Sequence, residues 1–161
     1  MFRLFKLKRI LMLVIYLIGR RKSKDFRVYE IKEESMAPHL LPGDYVFAKL
    51  TKDNPVRGDI IIFENKEKNF EVVKRVIGLP EEKISSKDGL LYIDGEIFDD
   101  KWGKEVTSDF AEVQIEAGEV FVLGDNRNSS TSDSRILGNI TWGNCYQVIY
   151  RYWPLENLGQ I

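Results

Sequence analysis

Phe70–Pro80 reads FEVVKRVIGLP, and Phe70, Val72, Lys74 and Val76 alternate onto one face. That period of two, with its β-branched residues, predicts a β-strand. Three of the four residues are large and apolar; the fourth is a lysine. An amine set between Val72 and Val76 loses water, and desolvation lowers an ammonium pKa. A lysine titrating near about 7.5 rather than its usual ~10.4 forgoes roughly 4 kcal/mol of ammonium stabilisation. The strand alone leaves two readings open. The stem packs and the amine snorkels to water, or Lys74 is a neutral general base. The choice turns on whether the chain supplies a nucleophile.

Working outward, Asp59–Phe63 is a nearly all-apolar strand, reached through a turn at Pro55–Gly58. Tyr45–Leu50 is another, entered from the turn Pro42-Gly43-Asp44. Phe26–Lys32 leads in from the N-terminal side and ends at Glu33-Glu34-Ser35-Met36-Ala37-Pro38. Ala37 precedes a proline and is therefore held extended. Residues 81–118 are acidic, and Asp88-Gly89 and Asp94-Gly95 flank Leu90–Ile93 as hairpin turns, which predicts a small β insertion. Glu119–Leu123 and Gln147–Trp153 are the last two strands. Between them, Gly124–Gly138 is a polar loop holding five serines and threonines. Nothing beyond the N-terminal segment has a helical period. The expectation is an all-β fold of antiparallel sheets, barrel-like, with a small insertion.

The charge is uneven. Residues 1–27 carry nine Lys and Arg against one acid, Asp25, a net +8 that leaves −9 for the rest of a chain of net charge −1. A basic head on an acidic body argues against nucleic acid and fits contact with an anionic membrane. Within the head, Ile10–Ile18 is an apolar run of about 14 Å as a helix, short of a ~30 Å hydrocarbon core. Extension back to Leu4 takes in Lys6, Lys8 and Arg9. No small-residue cleavage site follows; Gly19-Arg20-Arg21-Lys22 does. A single span, an interfacial helix and a buried helix all remain open. Residues 1–25 are expected to be the membrane-associated segment and 26–161 the β domain.

One cysteine, Cys145, excludes an internal disulfide framework. One histidine, His39, leaves no spare parts for a Ser-His-Asp triad or a multi-histidine metal site. If a serine here is active, its base is not expected to be histidine.

Three stretches, taken together, carry a resemblance. They are Ser35-Met36-Ala37-Pro38 with Gly43-Asp44; Arg57-Gly58-Asp59 with Val73–Pro80; and Gly124-Asp125-Asn126-Arg127 with Asp133-Ser134-Arg135. In this order and spacing the chain resembles bacterial type I signal peptidases over about residues 26–154, and Tyr150–Pro154 fits the same family. The resemblance implies a membrane-anchored serine endopeptidase with Ser35 as nucleophile and Lys74 as general base, using no metal or cofactor. It implies exported preproteins as substrates, cut after Ala-X-Ala at the extracytoplasmic face of the cell membrane. It implies a hydroxyl against the lysine amine, Ser130 or Thr131 by two counts, of which Ser130 is preferred. It implies ion-paired supports in Asp125, Arg75, Asp133 and Arg135, and small-residue pockets lined by Met36, Leu40 and Val73. Two positions depart from the family pattern. Glu33 stands where a serine or glycine often serves the oxyanion hole, and His39 stands where threonine is usual. A non-hydrolytic accessory protein for secreted or pilus subunits is the alternative. A self-cleaving repressor of related Ser/Lys chemistry is a third possibility, disfavoured by the absence of a DNA-reading helix pattern.

Overall fold

A computed structural model describes residues 25–65 and 69–159. The expected N-terminal membrane helix falls on residues outside these. Among the described residues, no helix is long and apolar enough to cross a membrane.

The strands are β1 (Phe26–Glu30), β2 (Tyr45–Leu50), β3 (Ile60–Asn65), β4 (Phe70–Gly78), β5 (Lys83–Lys87), β6 (Leu90–Ile93), β7 (Glu96–Ile97), β8 (Phe110–Gln114), β9 (Glu119–Leu123), β10 (Ile140–Thr141) and β11 (Tyr146–Trp153). A single helical turn, α1, covers Ser134–Leu137. The strands form a seven-stranded sheet ordered β1-β2-β11-β3-β4-β9-β10 and a four-stranded sheet ordered β7-β6-β5-β8. Every pairing is antiparallel.

β3 is apolar from Ile60 to Phe63 because both its faces are covered there. Ile60 and Ile62 join one core cluster with Met36, Leu40, Val46 and Val148. Ile61 and Phe63 join another with Val72, Val76, Val120 and Val122. A strand buried on both sides loses the polar alternation of a half-solvated one. β4 changes character along its length. Phe70 and Glu71 are exposed, whereas Lys74 to Gly78 are all buried.

The second sheet lies within 81–118. Its two tight turns have the chemistry their sequence calls for: Asp88 and Gly89, then Asp94 and Gly95, all have positive φ. Two-residue hairpin loops with that backbone match the twist of the flanking strands. The sheet packs on β4 through Ile77, Ile84, Ile115 and Phe121. Gly78 permits this, since a Cβ there would lie 2.3 Å from Ile115 Cδ1 and 3.0 Å from Phe121 Cβ.

Candidate active site

Ser35 sits in the turn after β1, held by local bonds from Ala37 N–H to the Glu34 carbonyl and from Leu40 N–H to the Met36 carbonyl. Its own carbonyl accepts from Asn126 N–H at 3.0 Å. That bond ties the Ser35 turn to the loop after β9. Gly124 makes the approach possible: a Cβ there would stand 2.4 Å from Ser130 Oγ and 2.7 Å from the Ser35 carbonyl oxygen.

Lys74 reaches Ser35 from the middle of β4. Its Nζ lies 2.7 Å from Ser35 Oγ and 2.8 Å from the Val73 carbonyl, and donates to both. Only 3 % of Lys74 is exposed. Burial drives its pKa down to about 8, against the opposing pull of Asp133, Glu33 and Asp125. Desolvation therefore outweighs three carboxylates. An amine so placed and so poised can take a hydroxyl proton near neutral pH.

Both residues open onto a groove of about 280 Å³, also lined by Tyr29 to Glu33, Met36, Ile62, Phe70 to Val73, Thr131 and Ser132. Two strand edges border it. β1 is a terminal strand of the sheet. β4 pairs with β3 from Phe70 to Arg75 but with β9 only from Arg75 onward, so among the described residues no strand pairs with its second edge over Glu71–Lys74.

Ion pairs brace the far side. Asp125, fully buried, receives Arg75 Nε at 2.8 Å and Nη2 at 2.7 Å. Asp133 caps α1 and takes Arg135 Nε at 3.0 Å and Nη2 at 2.8 Å, Ser130 Oγ at 2.6 Å and Gly124 N–H at 3.3 Å. Burial alone would raise the Asp133 carboxyl; the bonds from Arg135 and Ser130 prevail and hold it below the usual carboxylate range. Arg127 is buried between the Gly124 carbonyl, Thr107 and Asp100, and so fastens the insertion to this loop.

The family model for "Signal peptidase, peptidase S26" matches residues 3–152. The chain belongs to the signal peptidase family. It is 32% identical over 151 residues to signal peptidase I of Bacillus licheniformis, covering 85% of this chain and 81% of that one. It is 35% identical to signal peptidase I of Bacillus caldolyticus, covering 83% of each. The crystal structure of a signal peptidase I from Enterococcus faecalis V583 superposes with a TM-score of 0.53 at 32% identity, over 61% of this chain and 98% of that chain.

In this signal peptidase family member, Ser35, Lys74, Met36 and Val73 meet at the groove, and Asp125, Arg75, Asp133 and Arg135 form the two braces. Ser130 donates to Asp133, while the bonds of Lys74 among the described residues go to Ser35 and Val73. Thr131 lines the groove and is exposed. Leu40 is fully buried in the core behind Met36 and does not line the groove. His39 Nδ1 stands 3.0 Å from Asp125 Oδ2 without a hydrogen bond between them. Gly124, Asn126 and Arg127 enter the sequence analysis as parts of a motif, without individual roles. A glycine closing the apolar strand Glu119–Leu123 signals close backbone approach. The Asn126 contact is made by main chain and has no residue-type signal.

Proposed function

We propose that the chain is a signal peptidase I: a serine endopeptidase that removes signal peptides from exported preproteins through a Ser35/Lys74 dyad. The observation that carries this is the 2.7 Å approach of a buried, pKa-lowered Lys74 amine to Ser35 Oγ inside an open groove.

Ser35 Oγ attacks the scissile carbonyl carbon as its proton passes to Lys74 Nζ. Negative charge develops on the carbonyl oxygen, where the Ser35 N–H serves as a donor. The Lys74 ammonium then protonates the leaving amine, and the acyl group stays on Ser35 as an ester. Neutral Lys74 takes a proton from water, the hydroxide attacks the ester, and the Lys74 ammonium returns that proton to Ser35 Oγ as the ester bond breaks and the acid product leaves.

The edges of β1 and β4 that border the groove suit a substrate bound as an extended strand, with main-chain bonds giving affinity and alternate side chains entering pockets. Met36 and Val73 give the groove beside Ser35 and Lys74 an apolar lining, in keeping with cleavage after Ala-X-Ala. Arg75–Asp125 and Asp133–Arg135 hold the strand and loop that carry the site. Ser130 acts on Lys74 through Asp133. In this reading residues 1–25 bind membrane lipid, residues 26–161 form the catalytic domain with its insertion at about 81–118, and that domain works at the extracytoplasmic side.

The test is cleavage of a preprotein with an Ala-X-Ala signal end by detergent-solubilised full-length protein. Wild type should cut between the signal and the mature protein, and Ser35→Ala and Lys74→Ala should each abolish cutting. Cutting that survives Ser35→Ala, or a folded wild type inert from about pH 6 to pH 10, would overturn the proposal.

A further inference from the structure

Glu33 stands two residues before Ser35 and lines the same groove, with its side chain exposed. The other two carboxylates of the groove are engaged. Glu71 accepts from Arg27 and Tyr29, each at 3.2 Å, and Glu30 sits beside the Tyr45 hydroxyl, on which it acts. Among the described residues, Glu33 makes no hydrogen bond or ion pair. It is an unmatched anion at the mouth of the site, where negative charge develops during attack.

We propose that Glu33 is a specificity residue that pairs with a basic side chain at the middle position of the Ala-X-Ala segment, so that substrates carrying Lys or Arg there are cut faster. This rests on the signal peptidase reading above. In an extended substrate, successive side chains point to opposite sides. With the two alanines turned in towards Met36 and Val73, the residue between them faces out to the rim. Glu33 lines that groove two residues before Ser35, in the segment that follows β1.

The pairing also assists the chemistry. Left unmatched, Glu33 favours the ammonium form of Lys74, together with Asp133 and Asp125 and against Arg135. It also repels the oxyanion. A substrate cation over Glu33 offsets both effects while the substrate is bound. Lys32, exposed and also in the groove lining, is the one cation there apart from Lys74, and its charge works against the preference.

The experiment uses three peptides with the same signal end, carrying Ala-Lys-Ala, Ala-Gln-Ala or Ala-Glu-Ala, and full-length wild type, Glu33→Gln and Glu33→Lys. Glu33 is exposed, so both variants keep the fold. Wild type should rank Lys above Gln above Glu in kcat/KM, with roughly fivefold between the extremes at low ionic strength, shrinking as salt rises. The ranking should flatten in Glu33→Gln and invert in Glu33→Lys. A merely structural Glu33 would change all three peptides alike. Equal rates in wild type, or an unchanged ranking in Glu33→Gln, would overturn this inference and leave the peptidase reading standing. Failure to cut any peptide would remove both.

Discussion

Replacing Lys74 with methionine removes the charge and keeps most of the side-chain volume. Folded Lys74 titrates at about 8, against an ordinary value of 10.5. At 1.36 kcal/mol for each pH unit of difference, the folded chain bears about 3 kcal/mol for holding the ammonium at neutral pH. The sign follows from proton counts. Between those two pKa values the unfolded chain binds more protons than the folded one, so wild-type stability rises with pH across that window. Below pH 8 the penalty is present in full; above about 10.5 it is gone. Methionine also loses the bonds to Ser35 and the Val73 carbonyl, each about 1 kcal/mol, but that loss does not vary with pH. The variant minus wild-type stability should therefore fall by about 3 kcal/mol from pH 7 to pH 10.5, other alkaline titrations cancelling in the difference. Urea unfolding of both full-length proteins, followed by tryptophan fluorescence at several pH values, measures it. A difference that stays flat with pH would refute the claim that burial depresses this amine. Cleavage by Lys74→Met should be lost at every pH.

Other outcomes follow from the same geometry. Wild-type kcat/KM should rise through about pH 8, because the amine must be neutral to accept the Ser35 proton, as a pH profile on one peptide would show. Gly124→Ala puts a Cβ against Ser130 Oγ and the Ser35 carbonyl, and should lower kcat by tenfold or more, an estimate for misplaced reacting groups, with little change in the circular dichroism spectrum. Asp133→Ala strips Arg135 of its partner and α1 of its cap, and should lower unfolding free energy by about 3–5 kcal/mol in urea titration. Ile61→Ala, in the doubly covered β3, should destabilise by about 2–5 kcal/mol in the same assay and leave KM unchanged.

Much of this molecule was legible because its signals are local. The alternation of Phe70–Val76 gave β4, and the two Asp-Gly pairs gave the hairpins of the insertion. Lys74 stood out as a charge where a leucine would pack. What escaped notice depends on partners distant in sequence. Leu40 lies in the core behind Met36, and nothing in its own stretch separates a core leucine from a groove leucine. Ser130 bonds Asp133, three residues on, where that carboxylate caps α1. A four-residue turn, Ser134–Leu137, is too short to leave a helical period. His39 comes beside Asp125 only through the meeting of two loops 86 residues apart in sequence.

With substrate bound along β4 as proposed, the edge of that strand would also act as a filter on conformation. It offers main-chain donors and acceptors to whatever lies along it, and a helix has none to return, its own being spent internally. A segment with suitable side chains but a folded backbone is therefore not a substrate. Cutting waits on local unwinding of the preprotein, and a passenger that folds tightly up to its first residue protects its own junction. Under this arrangement the length of slack chain between the signal's helix and the passenger's first structured residue sets the rate as surely as the residues at the cut.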